Sequence, residues 1–326
     1  MQAPEIEWQR TYGGSNNDGA FSVQQTSDNG YIFSGLKKSS GTAYNTWLVK
    51  TDLNGEEEWN KTFDGPYYKY PNSVQQTSDG GYVLVGYDGA SGAGKDGTWL
   101  IKTDSNGNEQ WSKTFGGSNY GFASSVQQTS DGGYILAGAA SVLVVGEYTD
   151  MWLVKTDLNG EEEWNKTFGG ANFQGAYSVQ QTSDNGYIVA GYNLYRQYFN
   201  DYQDALLIKT DSNGNEQWSR RFGSSGSYVA EDAFSVQQTS DNGYIFAGLK
   251  ESVGAGYNIW LVKTDPNGNE QWNKIFWGSG NEYACSVQQT SDNGYIVAGY
   301  TESFGAGGKD AWLIKTDLNG DEQWNK

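Results

Sequence analysis

The 326-residue chain contains no histidine, one cysteine and four prolines. Without an imidazole, a Ser-His-Asp hydrolase mechanism has no general base. A single cysteine, Cys285, rules out an intrachain disulfide, and no histidine is present to activate it as a nucleophile. It occupies the place that other repeats give to Phe21, Asn72, Ser124, Tyr177 and Phe234, which points to packing. Cations are scarce: Lys and Arg number 21 against 39 Asp and Glu, for a formal net charge of −18. Such a surface repels nucleic-acid phosphates and anionic membrane surfaces. No apolar run approaches a transmembrane helix in length, so no membrane insertion is expected. The start, Met1 to Glu5, carries no signal-peptide pattern; it reads as a mature secreted chain behind an initiator Met or as a cytosolic start.

What is present is turn-forming and aromatic. Glycine numbers 45 and aromatics make up 15% of the chain, which is a folded, turn-rich β composition rather than a disordered one. The segment Ser-Val-Gln-Gln-Thr-Ser-Asp recurs six times, on Val23, Val74, Val126, Val179, Val236 and Val287. Repetition at about 50 residues marks a propeller or a solenoid. Each repeat reads as four strands. Strand A is Ser-Val-Gln-Gln-Thr. An Asp-Asn-Gly or Asp-Gly-Gly turn suited to a tight hairpin follows it. Strand B is of the type Tyr187 to Gly191, and strand C of the type Trp152 to Asp157. Strand D follows an Asp-x-Asn-Gly turn and carries a tryptophan. Strands B and C are short continuous apolar runs, as in sheets covered on both faces.

The expected fold is therefore all-β: a six-bladed β-propeller with four antiparallel strands per blade, one domain over residues 1–326. The strand-D tryptophan occurs seven times, at Trp8, Trp59, Trp111, Trp164, Trp218, Trp272 and Trp324, whereas every other strand occurs six times. The N-terminal copy, Glu5 to Gly14, is expected to join the last blade and close the ring. The copy at Asp321–Lys326 is then surplus. A monomer is the expected state, with pairing in trans through that surplus strand as the other route.

The segment Lys102 to Trp111 resembles the tryptophan-docking repeat of quinoprotein-type propellers. Asp104, Gly107 and Trp111 match its Asp, turn Gly and Trp, as do Asp157, Gly160 and Trp164. The turn here is one residue shorter, and Lys102 stands where that family has Ala. As a whole the chain is similar to secreted tandem-repeat propeller proteins of archaea and bacteria. The resemblance implies architecture, with the indole locking neighbouring blades, and an extracellular or cell-surface location. It does not imply a quinone cofactor, whose site in that family uses adjacent cysteines. No cofactor is expected. Indoles repeat on strand C as well, at Trp47, Trp99, Trp152, Trp260 and Trp312, with Leu206 in their place in the fourth repeat.

Asp52, Asp104, Asp157, Asp211, Asp265 and Asp317, each with Asn two residues on, offer oxygens to calcium. The same residues make hairpin turns by bonding their own backbone, and that reading comes first. The A–B and C–D turns are nearly invariant between repeats, whereas the B–C loops and D–A links vary, so one face is uniform and the other diversified. Loops on a rigid scaffold are where binding groups sit. The diversified face is rich in aromatics, and its expected ligand-binding residues are Tyr67, Tyr68, Tyr70, Tyr120, Phe122, Tyr195, Tyr198, Tyr202, Tyr228, Trp277 and Tyr283. The apolar Val142 to Val145 is a candidate contact patch. The expected function is a non-catalytic binding or adhesion scaffold for a glycan or a protein. A self-assembling structural protein is the alternative. A paired-carboxylate hydrolase using Glu231, Asp232, Asp201, Asp204, Asp88 or Glu282 comes third, and no catalytic residue is assigned.

Overall fold

The computed structural model describes residues 5–38, 44–64, 68–89, 97–116, 121–142, 148–170, 172–196, 201–223, 229–252 and 256–326. Every described element is a strand, and the strands form six four-stranded antiparallel sheets, the blades of a β-propeller. The chain divides into two compact units, Glu5–Thr167 and Phe168–Lys326.

The first unit carries three blades. Blade 1 comprises β1 (Gly19–Gln25), β2 (Tyr31–Lys38), β3 (Tyr44–Thr51) and β4 (Glu57–Phe63). Blade 2 comprises β5 (Tyr68–Gln76), β6 (Tyr82–Gly89), β7 (Thr98–Thr103) and β8 (Glu109–Phe115). Blade 3 comprises β9 (Gly121–Gln128), β10 (Tyr134–Val142), β11 (Tyr148–Thr156) and β12 (Glu162–Phe168), whose last residue begins the second unit. In that unit blade 4 is built from β13 (Phe173–Gln181), β14 (Tyr187–Tyr195), β15 (Tyr202–Thr210) and β16 (Glu216–Phe222). Blade 5 has β17 (Glu231–Gln238), β18 (Tyr244–Ser252), β19 (Gly256–Thr264) and β20 (Glu270–Phe276); blade 6 has β21 (Glu282–Gln289), β22 (Tyr295–Thr301), β23 (Asp310–Thr316) and β24 (Glu322–Asn325).

The apolar runs of strands B and C become cores between neighbouring blades. Ile32, Leu48 and Phe63 of blade 1 pack on Val74, Tyr82, Leu84, Trp99 and Ile101 of blade 2. The same set recurs between blades 5 and 6, where Ile245, Leu261 and Phe276 meet Val287, Tyr295, Val297, Trp312 and Ile314. The strand-D indole lies across the next blade: Trp59 meets the edge of Tyr82 at a centroid distance of 5.7 Å, and Trp218 does the same with Tyr244. A Cβ on Gly107 would lie 2.6 Å from the Trp59 indole, and the residue has φ +74°, so only glycine fits this turn.

The strand-C lysine has a visible structural role. Lys102 is 3% exposed, and its Nζ donates to Asp79 Oδ2 at 2.8 Å, Thr103 O at 2.8 Å and Gln110 Oε1 at 3.2 Å. It ties the A–B turn to strands C and D. Lys209 and Asp184 repeat the pairing in blade 4, and Lys263 and Asp241 in blade 5.

The last blade differs from expectation. Its fourth strand is β24, not the segment Glu5 to Gly14, which forms no strand. β24 follows β23 through a short turn in which Asp317 N donates to Asp321 O and Gly320 N to Asp317 O. A local hairpin orders far less chain than a contact across three hundred residues, so it wins the free edge of β23. The N-terminal segment instead packs on blade 1. Trp8 meets Tyr31 edge-on at 5.5 Å and donates to Leu53 O at 3.1 Å, while Tyr12 Oη donates to Gly55 O at 2.6 Å.

Candidate functional site

Blades 1, 5 and 6 share one packing unit on strand C: an indole buried against strand B, its N–H donating to an Asn on strand D. Trp47 Nε1 reaches Asn60 Oδ1 at 3.3 Å, Trp260 reaches Asn273 at 3.4 Å and Trp312 reaches Asn325 at 3.3 Å. Blade 4 has neither partner. Leu206 stands in the place of the indole and Ser219 in the place of the Asn, and Leu206 pairs across the sheet with Arg221, where blades 1 and 2 carry Thr62 and Thr114. The missing indole leaves a cavity of about 350 Å³.

Phe168, Leu206 and Ile208 form its apolar wall, and Asn172, Gln174, Asn193, Tyr195, Ser219 and Arg221 add polar groups. The strand register explains how they meet. Gln174 on β13 lies opposite Asn193 on β14, and Tyr195 at the end of β14 lies opposite Tyr202 at the start of β15. Asn193 is 1% exposed; its Oδ1 accepts from Gln174 Nε2 at 2.7 Å and from Asn172 Nδ2 at 3.5 Å. These two donors orient the amide, and Asn193 Nδ2 is left buried without a partner, as is Tyr195 Oη. A buried polar atom without a partner costs about 1–3 kcal/mol. The Tyr195 ring stacks on Tyr202 at 4.4 Å, and the Arg221 guanidinium lies 5.6 Å from the Tyr195 centroid. Two unsatisfied polar atoms, a stacked pair of tyrosines and an exposed guanidinium thus share one concavity.

The other expected ligand-binding residues are spread over separate blades. Tyr70 stacks on Tyr87 at 5.0 Å. Tyr283 stacks on Tyr300 at 4.8 Å and tilts against Tyr257, with the Lys309 ammonium 4.5 Å from the Tyr300 centroid. Phe122 is 40% and Trp277 72% exposed. Tyr68 falls within β5. Tyr67, Tyr120, Tyr198, Tyr228 and the segment 143–145 lie outside the described residues. Among the described residues, the expected aromatic that lines the cavity is Tyr195, with Tyr202 stacked on it. Asn172, Gln174, Asn193 and Arg221 were not among the expected site residues. The one sequence signal for them is Leu206, the single non-tryptophan at its repeat position.

The carboxylates form a second group. Asp204, Glu231 and Asp232 come together where blade 4 meets blade 5, with Asp204 Oδ1 and Glu231 Oε2 both flanking the bare Cα of Gly223. Glu231 is buried in an ion pair with Lys250 at 2.8 Å, and Asp232 accepts from Gln203 Nε2 at 2.6 Å. Burial pushes the Asp232 carboxyl up to about 7, and burial followed by the neighbouring Glu231 raises Asp204. The paired groups bridge β15, β17 and β18. Elsewhere, Asp201 lies 3.9 Å from Arg196, and Asp88 lies opposite Lys69 on the neighbouring strand. Buried Glu282 accepts from Gly278 N, Thr301 Oγ1 and Ser303 Oγ.

The turn aspartates serve their own hairpins. Asp104 Oδ1 accepts from Asn106 N at 2.9 Å and Asn108 N at 2.8 Å, and Asp52 and Asp157 do the same. At Asp104 a bond from Asn108 Nδ2 at 3.0 Å, with the backbone bonds, holds the carboxyl below the usual carboxylate range, and the backbone bonds do the same for Asp52 and Asp157. Asp211 and Asp265 each accept from two backbone N–H groups, as does Asp317. No cluster of three or more metal-ligating side chains occurs among the described residues.

No family model and no curated protein matches the chain. Solved structures do. A protein of unknown function from Dyadobacter fermentans is 12% identical with a TM-score of 0.59, over 90% of this chain and 93% of that one. A protein of unknown function from Bacteroides caccae is 13% identical with a TM-score of 0.52, over 91% and 93%. Sqt1 from Chaetomium thermophilum is 12% identical with a TM-score of 0.53, over 95% and 72%. The likeness is one of fold. At these identities it carries no site residue across, and the functional reading rests on the blade 4 cavity.

Proposed function

We propose that the protein is a non-catalytic binding scaffold whose blade 4 cavity takes a sugar unit of a glycan. The observation that carries this reading is a cavity opened by one missing indole and lined by buried, unpartnered Asn193 Nδ2 and Tyr195 Oη. Its volume falls within the range of roughly 300–1,000 Å³ common for small-ligand pockets. A sugar offers hydroxyl oxygens that accept from Asn193 Nδ2 and Arg221, and a hydroxyl that pairs with Tyr195 Oη. Its C–H face suits the aromatic and aliphatic wall. An apolar ligand would leave the amide unsatisfied. Glycans of this kind are presented outside the cell, which is where the reading places the protein.

The test is a restoring substitution. Leu206→Trp puts back the residue that the other five blades carry, so the variant is expected to fold with an unchanged or higher Tm. It fills the cavity, and affinity for the best ligand on a glycan array is expected to fall by more than about tenfold. Asn193→Ala is expected to weaken the same ligand by about tenfold. A glycan affinity untouched by Leu206→Trp, or an array without a single ligand, overturns the reading.

A further inference from the structure

Arginine is rare in this chain and gathers in the fourth repeat. The sequence has Arg10, Arg196, Arg220 and Arg221, and the last three belong to that repeat. The first three are engaged. Arg10 pairs with Glu56 at 2.6 Å. Arg196 lies 4.3 Å from the Phe173 centroid and 3.9 Å from Asp201, and Arg220 donates to Ser219 O at 2.9 Å. Arg221 differs. Its guanidinium lies 5.6 Å from the Tyr195 centroid, and no carboxylate stands within ion-pair distance of it among the described residues. Its place on strand D is held by Thr62, Thr114, Thr167 and Ile275 in blades 1, 2, 3 and 5, so packing does not demand a cation here.

The neutral groups beside Arg221 in the cavity are donors as well. Asn193 Oδ1 is occupied by Gln174 Nε2 and Asn172 Nδ2, so its amide offers N–H alone. Tyr195 Oη, the other buried atom without a partner, has an O–H to give. An amide N–H, a phenol O–H and a guanidinium suit an oxyanion. A carboxylate brings about four lone-pair sites and no proton, and a guanidinium can bind two of its oxygens at once. A sugar hydroxyl satisfies the two neutral donors but leaves the guanidinium without a counter-charge.

The nearby acids do not fill that place. Asp204 stands opposite Asn193, and its carboxyl lies with Glu231 against Gly223. Burial first, and Glu231 second, shift it toward its neutral form. Glu216 lines the cavity from the start of β16, five residues before Arg221 and roughly 16 Å away along the strand. Charges that far apart are screened at physiological salt, where the Debye length is about 8 Å. All of these residues belong to one compact unit, Phe168–Lys326.

We infer that the sugar taken by the blade 4 cavity is an acidic one, its carboxylate or sulfate group held by Arg221 with Asn193 Nδ2 and Tyr195 Oη. This rests on the glycan reading of the cavity and names the class of sugar. Arg221 is the residue that sets the preference for charge. The chain's net charge of −18 works against a densely charged polyanion, so the fitting ligand carries its acid group on a single unit among neutral sugars.

Titration calorimetry with matched oligosaccharides tests the inference. The probes end in galactose, in galacturonate or in sulfated galactose, on one neutral stem. The wild type is expected to bind at least one of the two acidic probes at least about tenfold more tightly than the neutral one. The two acidic arms separate carboxylate from sulfate as the group recognised. Arg221→Thr installs the residue of blades 1, 2 and 3, so wild-type circular dichroism is expected. It is expected to reduce the ratio of acidic to neutral affinity at least about tenfold, and Arg221→Lys, which keeps the charge and loses the fork, by less. Equal binding of all three probes by the wild type overturns the inference, as does a ratio that survives Arg221→Thr. In either case the glycan reading stands if Leu206→Trp still abolishes the binding. A protein that binds no sugar, acidic or neutral, overturns both.

Discussion

At the scale of single residues, the strand-C lysines show how a polar group becomes structural. Lys102 lies among apolar strands, yet its ammonium has three acceptors. Its stem adds apolar area and its head crosslinks a turn to two strands. Asp79, by contrast, has a side chain 55% exposed. Removing the aspartate therefore costs mainly through the ammonium that stays behind, short of one partner. Asp79→Ala is expected to lower unfolding stability by about 2–3 kcal/mol in chemical denaturation. Lys102→Met, which removes the buried charge, is expected to cost less than Asp79→Ala. The lysine was legible in the sequence as a departure from the docking repeat that the segment resembles, but its partner was not. The two are 23 residues apart on different elements, and only the sheet register brings them together.

At the scale of elements, the same strand sequence yields different surfaces according to one cross-strand pair near its end. That pair is Lys69 with Asp88 in blade 2, Gln174 with Asn193 in blade 4, Glu231 with Lys250 in blade 5 and Glu282 with Thr301 in blade 6. Reading Tyr195 and Tyr202 as residues of a diversified loop face missed this, because Tyr195 ends β14 and Tyr202 begins β15. In blade 5 the variable pair is an ion pair beside Asp232, and its consequence is measurable. The folded Asp232 titrates near 7, above the usual value of 3.8, because burial disfavours the charged form. Between those values the folded state holds a proton that the unfolded state has lost. The contribution of this group is therefore complete below pH 3.8 and disappears as the pH rises through 7. Asp232→Asn keeps the acceptor for Gln203 and removes the titration. Thermal melts at pH 5 and pH 8 are expected to show the wild type losing Tm relative to this variant at the higher pH, and equal losses in both would contradict the assignment.

At the scale of the whole molecule, six copies of one motif add up. Hydrogen bonds from Thr26 and Lys50 hold the Asp28 carboxyl down to about 2, and the Lys102 and Thr77 bonds outweigh burial to do the same for Asp79. Asp184 behaves alike, and Asp131, Asp241 and Asp292 shift in the same direction. A depressed carboxylate contributes stability above its unfolded value near 3.8, and that contribution is lost as the pH falls through about 2. Acid unfolding is therefore expected to be one steep transition below pH 4, followed by circular dichroism, with several protons taken up together. A shallow, drawn-out decline would argue against shared behaviour of the six turns. The sequence by itself determined the blade count, the strand order, the turn chemistry and the indole that lies on the next blade within each unit. Those features are periodic and local, and hydrophobic patterning writes them into every repeat. Only the tertiary structure decided that β24 completes the last blade, that a missing indole at Leu206 opens a polar cavity, and that Asp204, Glu231 and Asp232 meet. Each depends on which side chains fill the space between strands far apart in the chain, and a volume left unfilled has no signature in the order of residues.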